Sequence, residues 1–200
     1  MPEYEDEDSS SFVVDRWYKK SLWLYLLYPF SLIFSYLTTR RRKRYLNNKI
    51  ESYKSEVPII VVGNLTIGGT GKTPLVKYIV TELKNRGYRP GIVSRGYGGK
   101  FKETLKVSTD TSVKETGDEA QILAKLDVPF YIDKNRVRAV KKLTKNHECD
   151  VIISDDGLQH YKMGRHIEIA VIDGKRRFGN NLTFPAGPLR EASKRINTVD

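Results

Sequence analysis

The hydrophobic rhythm of the chain changes once, near residue 50. Residues 21–39 carry no charge and are rich in Leu and aromatic side chains: Leu22, Trp23, Leu24, Leu26, Leu27, Phe30, Leu32, Ile33, Phe34 and Leu37. Within that run Ser21, Tyr25, Tyr28, Ser31, Ser35 and Thr38 recur at steps of three or four, which makes one weakly polar stripe along a helix. Beyond residue 50, short apolar runs alternate with segments of helical period. The runs at 57–62, 91–94, 128–132, 150–156 and 167–173 read as strands, with a shorter one at 104–109. Helices are expected at 74–83, with Gly87 as C-cap, at 117–126, and at about 135–143. Strands alternating with helices imply an α/β fold with a mostly parallel, doubly wound sheet.

The first junction in that series is the most informative. Between the strand at 57–62 and the helix at 74–83 lies Gly63-Asn64-Leu65-Thr66-Ile67-Gly68-Gly69-Thr70-Gly71-Lys72-Thr73. Strand, glycine loop, Lys-Thr and helix is the phosphate-cradling arrangement of P-loop NTPases. Glycines let backbone N–H groups turn onto phosphate oxygens, and the helix N-terminus adds a positive dipole end. The loop departs from the standard spacing, because the first glycine of the pattern would fall at Thr66; Gly68, Gly69 and Gly71 compensate. Thr66, Ile67, Gly68, Gly69, Thr70, Gly71, Lys72 and Thr73 are therefore the expected nucleotide-binding residues. Lys72 is placed to reach the phosphates and Thr73 to hold Mg²⁺.

Other candidates sit where further strands end. Asp155 and Asp156 close the run at 150–156, ahead of Gly157, in a Walker-B layout that would hold Mg²⁺ directly or through water. The same letters also spell a polar Asp-Asp-Gly turn. Gln159 and His160 follow and could line the same crevice, although a lone histidine more often packs or caps. Arg95 opens a second glycine loop after the strand at 91–94. Ligands of open α/β sheets collect at that end of the strands, so Arg95 faces either phosphate or solvent. Asp118 also has two readings. With Gln121 it forms a capping-box pattern; beside a nucleotide crevice it would orient or deprotonate an acceptor hydroxyl.

Charge and composition narrow the setting. The 200 residues carry a net charge of +11, which asks for an anionic partner. The single cysteine, Cys149, excludes an internal disulfide, and with three histidines it offers no zinc spacing. Residues 1–14 form an acidic, serine-containing tail expected to be disordered. Cations flank the uncharged run on both sides: Arg16, Lys19 and Lys20 before it, Arg40 to Arg44 after it. A span would place one cluster against the positive-inside rule, whereas a helix lying in one anionic leaflet keeps both on the same surface. At about 28 Å the run barely matches a hydrocarbon core, and Pro29 would kink it. The expected layout is thus a tail at 1–14, a membrane-associated helix with its basic flank at 15–50, and a P-loop domain at 51–200. The basic cluster beside an apolar helix explains the charge better than a nucleic-acid partner does.

In this order, the segments 63–74, Ser94-Arg95-Gly96-Tyr97, Gly117-Asp118-Glu119, Asp155-Asp156-Gly157-Leu158-Gln159-His160 and Gly187-Pro188-Leu189-Arg190-Glu191 resemble the tetraacyldisaccharide 4'-kinase family of lipid A biosynthesis. The resemblance implies ATP- and Mg²⁺-dependent transfer of the γ-phosphate to the 4'-hydroxyl of a tetraacylated glucosamine disaccharide 1-phosphate. It implies action at the cytoplasmic face of the bacterial inner membrane. It makes Lys72 and Asp118 catalytic, and Asp118 the residue that activates the acceptor. It places Asp155 and Asp156 in the metal network and adds Arg136, Arg190 and Glu191 as active-site neighbours. The family continues well beyond Asp200, where its histidine partner to the catalytic aspartate lies, so the chain is expected to be a fragment; residues 195–200 look like the entry to a strand. The competing reading is a membrane-associated ATPase of the cell-division or partition type. Its signature lysine is absent, with Ile67 in its place.

Overall fold

A computed structural model of the protein describes residues 16–18 and 22–200; the acidic tail at 1–14, Lys19, Lys20 and Ser21 lie outside the described residues. Six strands form one sheet: β1 (Ile59–Gly63), β2 (Pro90–Ser94), β3 (Leu105–Lys106), β4 (Phe130–Ile132), β5 (Val151–Asp155) and β6 (Ile167–Ala170). Their order across the sheet is β3-β4-β2-β5-β1-β6. Only β3 runs antiparallel, against β4; every other pairing is parallel. Helices α2 (Lys72–Asn85), α3 (Val113–Thr116), α4 (Asp118–Ala124) and α5 (Arg136–Asn146) connect them, after an N-terminal α1 (Tyr28–Leu46).

The apolar runs are continuous because both faces of the central strands are covered. Ile59, Val61, Val93 and Ile152 pack on one face against Ala139, Val140 and Leu143 of α5. Val62, Ile92, Ile153 and Phe130 pack on the other against Val76 and Val80 of α2 and Ala120 and Leu123 of α4. A three-layer α/β sandwich results. Caps fix the helix ends. The Asn135 side chain accepts from the Val137 N–H at the start of α5. Gly87, at φ 83°, ends α2 with Gly87 N–H donating to Lys84 O and Tyr88 N–H to Leu83 O, a Schellman pair.

Two sequence expectations are corrected. Pro29 does not kink a helix over 21–39: residues Leu22–Leu27 form a 3-10 helix, α1 begins at Tyr28, and Pro29 sits in its first turn, where a missing N–H costs nothing. The helix then runs on through the basic cluster to Leu46. Residues Ser193–Thr198 form a 3-10 helix; Val199 is then extended, and Asp200 meets β6 at the sheet edge, where its N–H donates to Glu168 O. The expected strand at 104–109 shrinks to Leu105–Lys106.

The part of the polar stripe from Ser31 to Thr38 turns toward the protein, whereas Tyr25 and Tyr28 are exposed. Ser31 is buried; its hydroxyl donates to Thr183 O at 2.7 Å and accepts from the Ala186 N–H at 2.9 Å, while the Thr183 hydroxyl donates to Ser31 O at 2.8 Å. Phe34 meets Phe184 edge to face, Arg42 donates to the Thr198 hydroxyl, and Tyr45 stacks on Tyr161. Phe30, Leu32, Ile33, Tyr36 and Leu37 are left exposed. Among the described residues no helix is long and apolar enough to cross a membrane. Ser31→Ala removes a buried donor and acceptor at once, and the cost of the orphaned partners should be about 1–3 kcal/mol. Urea unfolding of the variant checks this; an unchanged midpoint would mean that α1 is not seated through Ser31.

Candidate functional site

Parallel pairing brings the carboxyl ends of β1, β5, β2 and β4 to one edge of the sheet, and the sequence candidates gather there. The glycine loop leaves β1 at Gly63. Gly71 takes φ 82° as N-cap of α2, a conformation that a side chain would strain, and a Cβ added there would meet nothing within 4 Å. The cradle is therefore open on that side. Lys72 opens α2, is buried, and brings Nζ to 3.7 Å from Asp156 Oδ1. Thr73 follows, half-buried, in the same first turn. The buried Thr70 hydroxyl has no hydrogen-bond partner in the protein. Asn64, at the loop entry, donates to Gly68 O. The other half of the loop is clamped from outside: Ile67 N–H donates to Pro188 O at 2.8 Å and Arg190 N–H to Leu65 O at 2.7 Å.

Asp155 and Asp156 share the end of β5 but have opposite surroundings. Asp155 is buried and accepts from the Ser94 hydroxyl through Oδ2 at 3.3 Å; its Oδ1 has no partner in the protein. Burial, and then the charges of Asp156 and Glu119, push its carboxyl up to about 6. Asp156 stands at φ 49° in the turn that follows. Arg190 Nη1 donates to both its oxygens, at 2.9 and 3.0 Å. Burial opposes its charge, but Arg190 and Lys72 outweigh this and hold the carboxyl below the usual carboxylate range. Arg136, buried at the start of α5, donates to Asp156 O at 2.8 Å. Burial draws its guanidinium down to about 10 against the pull of Asp156.

Lys72, Asp155, Asp156, Arg136 and Arg190 thus form one charged cluster. Gln159 joins it, its amide donating to Asn64 O at 3.1 Å and Glu191 Oε2 at 3.4 Å. Glu191 is buried and accepts from the Tyr161 hydroxyl at 2.6 Å. Asp118 and Arg95 are exposed and make no contact within the cluster. They border it all the same: Arg95 acts electrostatically on Arg136, and Glu119, next to Asp118, acts on Asp155. A Cβ at Gly117 would fall 2.1 Å from Tyr97 O, so the loop after Arg95 and the start of α4 are neighbours. The capping-box reading of Asp118 is overturned. The N-cap is Gly117, at φ 83°, and Gln121 turns away to donate to Thr111 O and the Thr116 hydroxyl. Among the described residues no group of three or more His, Cys, Asp and Glu side chains is placed to hold a metal by itself.

Sequence reasoning missed Arg176 and Tyr161. Arg176 donates to Gly69 O in the glycine loop and is paired with Asp173. The run Asp173-Gly174-Lys175-Arg176-Arg177 beyond the last strand was the available signal, basic residues at a strand's carboxyl end.

A parallel α/β sheet whose glycine loop, Lys72 and Asp155-Asp156 converge at the carboxyl ends of adjacent strands defines a P-loop nucleotide fold. The model of the LpxK family, tetraacyldisaccharide-1-P 4'-kinase, matches residues 23–200. The chain belongs to that family. It is 47% identical over 187 residues to a tetraacyldisaccharide 4'-kinase of Methylobacillus flagellatus, a match that covers 92% of this chain and 56% of the relative. To that of Coxiella burnetii it is 49% identical over 187 residues, with 92% and 57% covered. A crystal structure of LpxK from Aquifex aeolicus, an "apo" form in complex with ATP, superposes with a TM-score of 0.80 at 34% identity, covering 90% of this chain and 57% of that one. The chain therefore spans little more than half the length of these relatives.

His160 is half-buried, and its Nε2 has no partner. Burial, then Arg136 and Arg165, bring its imidazole down to about 4. An unfolded histidine protonates near 6.5. Between about 6.5 and 4 the unfolded chain binds the extra proton, so this group's share of stability falls as pH falls. Asp155 acts in the opposite sense. Lowering pH from 7 to 5 should therefore lower the melting temperature of the wild type more than that of His160→Gln, in which only this titration is removed. Parallel pH profiles would exclude the buried-neutral histidine.

Proposed function

We propose that the protein is an ATP-dependent kinase that transfers the γ-phosphate to the 4'-hydroxyl of a tetraacylated glucosamine disaccharide 1-phosphate. The observation that carries this is the approach of Lys72 Nζ to Asp156, which joins the glycine loop of β1 to the paired carboxylates of β5. Family membership selects the acceptor. A membrane-associated ATPase of the cell-division or partition type finds no support in the family match.

The residues present fit a nucleotide phosphate and a divalent cation. The cradle at Gly69 and Gly71 is open, and the Thr70 hydroxyl and Asp155 Oδ1 are buried without protein partners. The backbone N–H groups of residues 68–73 hold the phosphates, with the N-terminus of α2 behind them. Lys72 neutralises their charge. Thr73 and Asp155 would hold Mg²⁺, which when bound would neutralise charge on the transferring group, and Asp156 keeps Lys72 aimed until the phosphates arrive. Asp118, exposed beside this crevice, accepts the proton of the acceptor hydroxyl. Arg95, Arg190 and Arg176 add positive charge around the phosphates, and Arg136 supports the turn that carries Asp156.

Residues 51–200 form the kinase domain in this reading, and 15–50 attach it to the cytoplasmic face of the inner membrane. The exposed Phe30, Ile33, Tyr36 and Leu37, continued by the exposed Arg40, Lys43 and Arg44 on the same helix, suit an anionic leaflet. The lipid acceptor would be met there.

Two experiments test these proposals. In single-turnover assays of a protein spanning the family's whole length, Lys72→Ala should abolish transfer, and Asp118→Asn should lower kcat by about 10²-fold or more with ATP affinity nearly unchanged. Normal turnover by either variant rejects its assigned role. In vesicle flotation, Ile33→Glu/Leu37→Glu should shift the protein from anionic vesicles to the soluble fraction; retention on the vesicles would remove α1 as the attachment.

A further inference from the structure

Behind the phosphate site lies a polar cluster centred on Tyr161, to which the reaction gives no part. The ring is buried, stacked by Tyr45 of α1 at 5.9 Å between centroids, with the Arg165 guanidinium over it at 5.0 Å. Its hydroxyl donates to Glu191 Oε1 at 2.6 Å and accepts from Arg195 Nε at 3.4 Å. Arg195 is itself pinned to Glu168 at 2.5 Å, and Glu168 to Arg165 at 2.8 Å. The hydroxyl is thus locked from one side and has a single acceptor to serve.

That acceptor carries the clamp on the glycine loop. Glu191 follows Arg190 directly. The segment before it runs antiparallel to the loop, through the bridge between Thr66 and Leu189 and the two hydrogen bonds from Ile67 N–H and Arg190 N–H. The Arg190 side chain donates through one nitrogen to both oxygens of Asp156. Glu191 is 5% exposed, and its other oxygen accepts only the longer 3.4 Å bond from Gln159. A buried carboxylate keeps its place through its donors, and the Tyr161 hydroxyl is the short one.

We propose that Tyr161 is a positioning residue for the phosphate site: its hydroxyl fixes Glu191 and so holds residues 188–190 against the glycine loop and Arg190 on Asp156. Because Tyr45 of α1 stacks on the same ring, the seating of α1 and the order of the loop belong to one structural unit. The consequence for nucleotide affinity rests on the kinase reading above; the effect on the loop does not.

Tyr161→Phe keeps the stacked ring and deletes only the donor. Amide hydrogen exchange should be measured on wild type and variant without nucleotide. The Ile67 and Arg190 amides should exchange about tenfold faster in the variant, with the β2 and β5 amides changed less than about twofold. Affinity for a non-hydrolysable ATP analogue with Mg²⁺ should fall by about fivefold or more, and Tyr161→Phe should add little to Glu191→Gln, since both break one bond. Unchanged exchange at those two amides, uniform acceleration over β2 and β5, or additive effects of the two substitutions would each overturn the proposal. Failure of the wild type to bind the ATP analogue, with the two amides still loosened by Tyr161→Phe, would reject the kinase reading and leave the positioning role standing.

Discussion

Two consecutive carboxylates at the end of a buried strand cannot both be ionised without cations, and much of the molecule is arranged around that constraint. Asp156 takes the charge. Lys72 approaches it from the glycine loop, Arg190 grips it through both oxygens, and Arg136 fixes its carbonyl. Asp155 is left in a drier place with one oxygen unpartnered. Each cation arrives on a different element, so one small charge pattern ties α2, α5 and the segment after residue 187 to β5. Those elements must pack correctly for the carboxylates to be tolerated. Once packed, they bring Lys72, Arg136 and Arg190 together at the carboxyl ends of the strands.

The fold was largely legible because its signals are local. Central parallel strands are covered on both sides and so read as unbroken apolar runs. The glycine loop betrays itself by backbone freedom that only glycine supplies, as Gly71 at φ 82° illustrates. The gathering of the candidate residues was legible where a motif coincided with a strand end, as at Lys72 and at Asp155-Asp156. It was not legible where the decisive contact is tertiary. Tyr161 looks like one more aromatic residue until Glu191, thirty positions on, is placed against its hydroxyl. Gly117 took the cap that the letters assigned to Asp118, because Tyr97 O leaves no room there for a side chain. Near residue 195 the inward turn of Arg195 onto Glu168 was likewise hidden, since the partner lies twenty-seven positions back.

The N-terminal helix inverts the usual logic of a surface helix. An amphipathic helix ordinarily turns its apolar stripe to the core. Here the middle of the weakly polar stripe, at Ser31, joins Phe34, Arg42 and Tyr45 in the docking face. Small hydroxyls allow close approach, and Ser31 and Thr183 satisfy each other's backbone groups in a buried, reciprocal pair. The sequence displayed the stripe, but periodicity alone could not say which side it would face. With the polar side spent on the protein, Phe30, Ile33 and Leu37 remain in contact with solvent. Contiguous apolar exposure of this kind marks an interaction surface.

Orientation and charge then act together. Arg42 and Tyr45, one turn apart, reach Thr198 and Tyr161 on the protein side, while Arg40, Lys43 and Arg44 lie in solvent with the apolar residues. A basic run that is uniform in sequence is therefore divided by the helix: Arg42 is held by the protein, Arg41 acts on His160, and Arg40, Lys43 and Arg44 form an outward cationic group. Arg42 leads into the residues around Tyr161 and Glu191; the outward group continues the apolar surface. The same nineteen residues thus connect the surface that would meet a lipid acceptor with the polar cluster that clamps the glycine loop. A single packed helix, and not a flexible tether, therefore sets the distance between that exposed surface and the residues around Tyr161.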